Sequence, residues 1–448
     1  RRLRNKSLRS VEMKLALPAL AVLLFTTLAT PAEPLRLGQS SLDELGTLYR
    51  HFHQHPELSF GEEKTAKRIA DELAALGFEV TPKVGGHGLV ALLENGAGPT
   101  VMIRADMDAL PVEEATGVDY ASTARAVDID GLEKPVMHAC GHDVHITNLI
   151  GTARSLVATK DRWRGTLMMI AQPAEERGAG AKAMLDDGLF TRFPRPDFNL
   201  ALHVNAAMPA GTIGYVAGPA LANVDSVDIT VLGVGGHGAY PHLTKDPVVL
   251  AAEIVLALQT IVSRELSAQE PAVITVGSIH GGHKHNVIPD EVKMQLTLRS
   301  YTEETRQHMI ESIKRITRNL AMAANLPSDR LPIVAVKDEF TPVAFNDPEL
   351  TRRAVEVFET VVGPSNVQER TPTMGGEDFG RYGQVTPKIP SLIFWLGAVD
   401  QTIYEASQQN DTPLPSLHSA KFIPAYAPTI KTGVEAMVNV ALALLTKP

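Results

Sequence analysis

The sequence predicts an α/β fold, in which a layered domain with a largely parallel sheet contains a smaller, inserted α+β domain. Two observations support this prediction. Short apolar runs typical of strands alternate with amphipathic helical segments, and one internal segment has the order strand, helix, strand, strand, helix, strand. Because the alternation resumes after that segment, we place residues 33–221 and 338–448 in the first domain and residues 222–337 in the inserted one.

The first domain opens with a helical pattern. The stretch "GEEKTAKRIADELAALGFEV" places Ala66, Ile69, Leu73 and Leu76 at helical spacing and ends at Gly77. A second helix is predicted over "HITNLIGTARSLV". Apolar strand candidates, several of them bounded by Gly or Pro, lie at 89–93, 101–103, 167–171, 200–204 and 392–396. This alternation favours a sheet covered by helices.

The inserted segment has a different order. Strands are predicted at 227–232, 272–279, 292–298 and 332–336, and helices at 247–266 and 303–324. The resulting order, β-α-β-β-α-β, is that of a ferredoxin-like sandwich.

Composition limits the classes of function. A chain of 448 residues with 44% hydrophobic and 21% charged residues favours a globular protein of two domains. The net charge of −9 and the lack of a Lys/Arg-rich run beyond the first few residues argue against a nucleic-acid partner. The single cysteine, Cys140, has no second thiol with which to form an internal disulfide.

The N-terminal segment predicts export. From Met13, "MKLALPALAVLLFTTLATPAEP" contains one lysine, an apolar stretch and then small residues, as a secretory signal peptide does. We therefore assign residues 1–32 to upstream sequence and a signal peptide, and expect an exported, periplasmic or secreted protein. No later segment reaches about 18 uninterrupted apolar residues, so no stable membrane span is expected after cleavage. An uncleaved anchor is the alternative.

Several polar residues could bind a metal. Cys140 and His142 are two residues apart, and a thiolate with an imidazole suits an ion such as Zn²⁺. A buried free cysteine is the alternative, since structural zinc sites usually contain more than one cysteine. Glu175 and Glu176 follow one apolar strand, and His203 ends another. Ligands in open α/β sheets gather at the carboxyl ends of strands, so these side chains are candidates for one site.

A series of motifs extends over nearly the whole chain after the N-terminal segment. The motifs are, in order, "RHFHQHPELSFGEEKTA", "IRADMDALPV", "HACGHDVH", "QPAEERGAGAKAMLDDG", "LHV", "GGHGAYPH", "NVIPD", "GGEDF" and "LHSAKF". Their order resembles that of the metallo-amidohydrolases that include bacterial hippurate hydrolases, N-acyl-amino acid aminoacylases and plant auxin-conjugate hydrolases. The resemblance implies a zinc-peptidase-like, three-layer catalytic domain with an inserted ferredoxin-like lid.

The resemblance also implies a ligand set for two divalent ions. By position, Cys140 is similar to a ligand that bridges both ions, Glu176 and His418 to the ligands of one ion, and His142 and His203 to those of the other. Zinc is the favoured metal, with manganese, cobalt and nickel as alternatives.

Further roles follow from the same resemblance. Glu175 resembles the general base, and Asp106 resembles an acid that supports the ligands. Arg104 stands where other branches of the wider superfamily have a ligand histidine, a departure that fits the hippurate hydrolase branch, in which His142 supplies the imidazole.

In the inserted domain, His237 or His242 could donate a hydrogen bond to a tetrahedral oxyanion. The resemblance favours His237, reaching from the neighbouring subunit of a homodimer formed through the lid. It also implies that Asn286 contacts the substrate carboxylate, and Gly376 and His242 are further candidate substrate contacts. We interpret His280, His283 and His285 as solvated loop residues.

These residues predict a metal-dependent amidohydrolase that cleaves N-acyl or N-aroyl amino acids to a carboxylic acid and a free amino acid. A metallo-dipeptidase or carboxypeptidase with the same centre is the alternative. A non-catalytic metal-binding protein of the same fold is a third possibility, which the presence of Glu175 and of all five ligand residues disfavours.

Overall fold

The computed structural model describes residues 33–338 and 340–445. The predicted signal peptide, residues 1–32, lies outside the described residues. The α-helices of the described part of the chain are α1 Gln39–Gln54, α2 Glu63–Ala75, α3 His142–Ala158, α4 Gly180–Asp186, α5 Leu189–Arg192, α6 Pro247–Thr260, α7 Glu303–Ala323, α8 Pro348–Val362, α9 Gly380–Gly383, α10 Gln401–Asn410 and α11 Tyr426–Leu444.

The strands of the same residues form one large sheet, one smaller sheet and three two-stranded ladders. They are β1 Glu79–Pro82, β2 Leu89–Glu94, β3 Thr100–Asp106, β4 Arg125–Val127, β5 Glu133–Pro135, β6 Thr166–Gln172, β7 Phe198–Pro209, β8 Ile213–Tyr215, β9 Gly218–Leu221, β10 Asn223–Leu232, β11 Gly236–His237, β12 Ala272–Gly281, β13 Val287–Ile288, β14 Glu291–Ser300, β15 Ile333–Val336, β16 Ala344–Asn346, β17 Val367–Glu369 and β18 Ser391–Val399.

The large sheet has eight described strands in the order β1-β2-β6-β3-β7-β18-β8-β17. Its four central strands, β6, β3, β7 and β18, are parallel. The prediction of a largely parallel sheet is right for this centre but wrong for the flanks, where β2 pairs antiparallel with β6 and β8 pairs antiparallel with β18. The short β1–β2 hairpin reverses the chain at one flank, because a hairpin connects only antiparallel strands.

Helices cover both faces of this sheet, so the domain has three layers. Alternate side chains of each central strand point to opposite faces, as Met168 and Met169 of β6 do. One face packs against α1, α2, α3, α8 and α11, and the other against α4, α5 and α9. The carboxyl ends of the parallel strands stay uncovered by this packing and form one edge of the domain.

The second sheet has the order β12-β14-β10-β15, with all neighbours antiparallel. The helices α6 and α7 pack on one of its faces and enclose a separate apolar core. This is the predicted order β-α-β-β-α-β. The first helix is shorter than the predicted 247–266, because its last turn, Ile261–Glu265, is a π-helix. Among the described residues, Pro247–Glu265 is the one helix that is long and apolar enough to cross a membrane, although its inner side packs in this core.

Candidate metal centre

The candidate site lies beside the carboxyl ends of β3 and β6. Asp106 is the last residue of β3, and Glu175 and Glu176 follow β6 by three and four residues. His142 is the first residue of α3, and Cys140 lies two residues before it. The prediction that His203 ends a strand is wrong, because β7 continues past it to Pro209. The local folds thus bring together residues from four separate parts of the chain, as expected for the carboxyl edge of a parallel sheet.

All five predicted ligands meet at this edge. Cys140 Sγ lies 3.6 Å from His203 Nε2, His142 Nε2 lies 3.8 Å from Glu176 Oε1, and His418 Nε2 lies 3.6 Å from Glu176 Oε2. Four of them, all except the fully enclosed His142, line a cavity of about 650 Å³ that Glu175 also borders. The structure therefore places the five side chains as one cluster.

The chemistry of this cluster fits metal ions. His142 Nε2 and Glu176 Oε1 are buried without a hydrogen-bond partner among the described residues, an arrangement that is costly unless a further group binds them. Burial and the nearby Glu176 and Glu175 raise the pKa of the Cys140 thiol, while burial raises the pKa of Glu176 to about 7. A divalent cation would supply the missing positive charge and stabilise the thiolate and the carboxylate together.

Asp108 holds several members of the cluster, and the sequence analysis did not assign it. Its carboxylate accepts hydrogen bonds from the backbone N–H groups of Glu175 and Glu176, at 3.1 and 3.0 Å. Its backbone carbonyl lies 2.8 Å from His142 Nδ1, and a hydrogen bond there leaves Nε2 as the free ligand atom. The second aspartate of "RADMD" was the signal that could have identified it.

Asp106 supports the ligands through two contacts. Its Oδ1 lies 2.6 Å from His145 Nδ1, and the Nε2 atom of the same imidazole accepts the backbone N–H of Val204 at 2.9 Å. This chain fixes the backbone beside His203. Its Oδ2 accepts a hydrogen bond from Arg104 at 2.7 Å, and the guanidinium outweighs the effect of burial and lowers the pKa of Asp106. His145 was also missed, although it lies within "HACGHDVH".

Arg104 is buried among carboxylates and is not positioned as a ligand. It donates to Asp106, to Glu377 at 2.8 Å and to Asp378 at 3.2 Å. Glu377 and Asp378 were not predicted, although the quoted motif "GGEDF" contains both. Together with Glu175 they form a compact acidic group. Burial, Glu377 and Glu176 raise the pKa of Glu175, so its carboxylate has an increased affinity for a proton.

Two residues of the site have left-handed backbone conformations that non-glycine residues rarely adopt. Ala174, immediately before Glu175, has φ of 48°, and His418 has φ of 65°. Hydrogen bonds hold both: the Ala174 N–H donates to Glu62 at 2.8 Å, and the His418 N–H donates to the Ala139 carbonyl at 2.9 Å. The bond from His418 to Ala139 connects the loop of His418 to the loop of Cys140. The strained backbone of His418 thus helps to position two candidate ligands.

The predicted substrate contacts and His237 are divided between two places. Gly376 borders the metal cavity, where a Cβ atom would lie 2.6 Å from Val224 of β10, so only glycine fits. His237, His242 and Asn286 are exposed and do not line this cavity. His237 and Asn286 are nevertheless neighbours, since Gly238 N–H donates to the Asn286 carbonyl at 2.9 Å. The histidines at 280, 283 and 285 are exposed, as predicted, but His280 lies in β12 rather than in a loop.

Arg299 is a cavity residue that the sequence analysis missed. It lies on β14, is partly buried and borders the metal cavity from the side of the second sheet. Its Nη1 donates to the Met374 carbonyl at 2.8 Å. Within the described residues no carboxylate forms an ion pair with it, so its charge is available to a ligand in the cavity.

The chain is similar to known hydrolases over most of its length. A model described as Peptidase family M20/M25/M40 matches residues 102–419. Thermostable carboxypeptidase 2 of Saccharolobus solfataricus is 37% identical over 352 residues, covering 78% of this chain and 84% of that protein. Hippurate hydrolase of Campylobacter jejuni is 37% identical over 342 residues, covering 75% and 84%.

A solved structure is similar over nearly the whole chain. The YXEP protein of Bacillus subtilis, described as a dinuclear metal binding peptidase from the M20 family, superposes with a TM-score of 0.73 at 28% identity. The superposition covers 91% of this chain and 99% of the YXEP chain. The similarity therefore includes both sheets and the edge at which the candidate ligands meet.

The two adjacent acids should have separable roles. We expect Glu175→Gln to retain bound metal and to lose about 10²–10⁴ in kcat, because an amide accepts no proton. Glu176→Gln should bind metal more weakly, because its carboxylate faces His142 and His418. Metal content after dialysis and kcat, measured on both variants, check this. The reverse result, with metal lost from Glu175→Gln and kept by Glu176→Gln, would show that the roles are exchanged.

Proposed function

We propose, from the premise that this chain belongs to the peptidase M20/M25/M40 family and hydrolyses amide bonds, that its substrates are N-acyl or N-aroyl amino acids. The products would be a carboxylic acid and a free amino acid. One observation carries the proposal: a cavity bordered by candidate metal ligands and Glu175 is also bordered by Arg299, whose guanidinium forms no ion pair with any described carboxylate. An amide bond at the ligands would leave the carboxylate of the amino acid within the same cavity as Arg299.

Two divalent ions would complete this site, with Cys140 between them, Glu176 and His418 holding one, and His142 and His203 the other. The paired distances within the cluster and the description of the YXEP protein as dinuclear support this assignment. Zinc is favoured because one thiolate and three imidazoles suit a borderline-soft ion. When bound, the ions would polarise the amide carbonyl and acidify a water molecule.

The residues of the chain would then move one proton. Glu175 accepts it from the water whose oxygen bonds to the amide carbon, and returns it to the amine nitrogen as the C–N bond breaks. The negative charges of Glu377 and Asp378 raise the proton affinity of Glu175. Arg104 forms ion pairs with both acids, which offsets part of the cost of burying their charges. Asp108 holds the backbone of Glu175, so that the base keeps one position through both transfers.

A carboxypeptidase or dipeptidase activity is the second candidate, because the Saccharolobus relative is named a carboxypeptidase. Both activities release an amino acid with a free carboxylate, and they differ in whether the acyl side may carry a free α-amine. We favour acyl groups without one, because an ammonium group beside two divalent cations is repelled.

We further propose that the second sheet acts as a lid. Val224, Ser226 and Arg299 contribute its side of the cavity, and two chain connections join it to the first domain. A hinge at these connections would allow closure when a substrate reaches both sides.

A homodimer through this lid is proposed on three observations. The strand β12 is an edge strand whose ladder is open on one side, and the outer side of α6 exposes Val248, Val249 and Leu256. His237 is exposed and does not line the cavity of its own chain. In the partner's cavity it could donate a hydrogen bond to the oxyanion.

Export to the periplasm or the medium stays a proposal, based on the N-terminal segment.

A substrate panel tests the function. Purified protein reconstituted separately with zinc, manganese, cobalt or nickel should hydrolyse N-benzoyl and N-acetyl amino acids with higher kcat/KM than dipeptides of the same C-terminal residue. Release of the free amino acid is the measurement. Faster hydrolysis of unblocked dipeptides than of every N-acyl amino acid would favour the peptidase activity instead.

Arg299 should recognise the substrate carboxylate. We expect Arg299→Gln to raise KM about 10-fold or more, since a hydrogen-bonded charge pair is lost, and to change kcat less. For the wild type, conversion of the substrate carboxylate to an amide should have a similar effect. The two changes should not add, because both remove one interaction. If the effects of the two changes on KM were fully additive, the substrate carboxylate would not bind at Arg299.

His237 should act across the dimer. We expect His237→Ala to lower kcat by about 10²-fold, as loss of one oxyanion donor does, without loss of metal. Coexpression of His237→Ala with Glu175→Gln should restore roughly a quarter of wild-type activity, because mixed dimers contain one intact site. Absence of restored activity in mixed dimers, verified by differential tags, would show that His237 does not act from the partner.

A further inference from the structure

We propose that a second cavity, which we call the acyl cavity, binds the acyl half of the substrate and selects bulky apolar acyl groups. This inference rests on the proposed function. The acyl cavity has a volume of about 890 Å³ and lies between residues 54–61, residues 109–111 and the β4–β5 hairpin. Its size suits a drug-sized organic group.

The acyl cavity adjoins the metal cavity. Glu176 and Arg177 border both of them. A substrate with its amide at Glu176 can therefore extend in two directions. The direction that contains Arg299 suits the carboxylate of the amino acid, which leaves the acyl group to the other direction.

Both walls of the acyl cavity are tied to the residues that hold the metal ligands. On one side, Ser59 Oγ donates to the Asp108 carboxylate at 2.6 Å, and Ala109 N–H donates to the Glu57 carbonyl at 2.8 Å. On the other side, β5 ends five residues before Cys140, and Val136 N–H donates to the Ala124 carbonyl at 3.0 Å. An acyl group in this cavity would thus be fixed relative to the ligands rather than to a separate part of the fold.

The walls present apolar side chains that the protein itself leaves uncovered. Phe60, Val127 and Ile129 line the acyl cavity and are 44%, 67% and 73% exposed. Three large apolar residues exposed around one concavity indicate a binding site for an apolar group. The charged residues Lys64 and Arg125 are exposed, and Arg125 pairs with Glu133 across the hairpin at 3.1 Å.

The backbone of Phe60 supports this interpretation. Its φ is 65°, in the left-handed region that a bulky aromatic residue rarely adopts, and it lies in a tight turn closed by Gly61 N–H and the Leu58 carbonyl. A glycine would satisfy this turn without strain. The aromatic ring, exposed at the cavity, therefore has a use other than the stability of the turn.

The ligand class follows from these walls. Aromatic acyl groups such as benzoyl, and branched or extended alkyl acyl groups, would cover the exposed side chains, whereas an acetyl group is too short to reach them. The ratio of kcat/KM for an N-benzoyl amino acid to that for the N-acetyl derivative of the same amino acid should therefore be at least tenfold.

The test compares this ratio between variants of the metal-reconstituted, full-length protein. Val127→Ser combined with Ile129→Ser should lower the benzoyl-to-acetyl ratio about tenfold. Phe60→Gly should lower the ratio as well, and should leave the melting temperature equal or higher because the turn is relieved of strain. Ile403→Ser, at an apolar residue of α10 that is 55% exposed and borders neither cavity, is the matched control and should leave the ratio unchanged.

An unchanged ratio in both folded variants, with normal turnover of the N-acetyl substrate, would overturn the acyl cavity and leave the proposed function standing. The proposed function itself fails if the wild type hydrolyses no N-acyl amino acid under any of the metals. In that case the binding of benzoate and the binding of acetate, each measured by calorimetry, test the acyl cavity. Preferential benzoate binding that Phe60→Gly and the hairpin variant both lose supports it, and equal binding of the two acids overturns it.

Discussion

The acidic cluster of the metal centre depends on one buried cation, the Arg104 guanidinium. It contacts Asp106 at the end of β3 and Glu377 and Asp378 in the segment before α9, and also donates to Gln172 at the end of β6. Removal of one partner from such a buried network costs about 3–5 kcal/mol, because the remaining charges stay buried without compensation. Arg104 thus allows several carboxylates to lie near the proposed metal ions while the protein remains folded.

Around this cation the carboxylates differ in environment, and so in what they can do. Asp106 faces Arg104 and His145, which keep it ionised and acceptor-only. Glu175 faces Glu377 and Glu176 instead, and its proton affinity is raised. Asp106 can therefore act only as a hydrogen-bond acceptor that supports the ligands, whereas Glu175 has the raised proton affinity that a general base needs. Asp108 adds rigidity, since it holds the backbone of both adjacent glutamates and the imidazole of His142.

The two halves of the substrate would contact different parts of the molecule. The acyl group would contact the first domain, and the amino-acid carboxylate would contact the second sheet. One wall of the acyl cavity is hydrogen bonded to Asp108, which also holds the backbone of Glu175 and Glu176. Arg299 belongs to the second sheet, which has its own core and joins the first domain by two connections. Recognition of the amino-acid carboxylate therefore depends on the position of the proposed lid, whereas recognition of the acyl group does not. Closure of the lid would therefore depend on binding of the amino-acid half of the substrate.

The sequence by itself determined the family through motifs in a fixed order, and the resemblance implies the five candidate ligands and Glu175 as the general base. Local periodicity predicted the central strands of the large sheet and the β-α-β-β-α-β order of the inserted segment. Only the tertiary structure decided the antiparallel flanks of the large sheet, the partners of Arg104, the role of Asp108, the position of Arg299 and the acyl cavity. Arg104 and Glu377 are 273 residues apart in the sequence. Phe60 and the β4–β5 hairpin line one cavity although they are also far apart in the sequence. Spacing along the chain carries no information about such contacts, since they are set by how strands and loops pack in three dimensions.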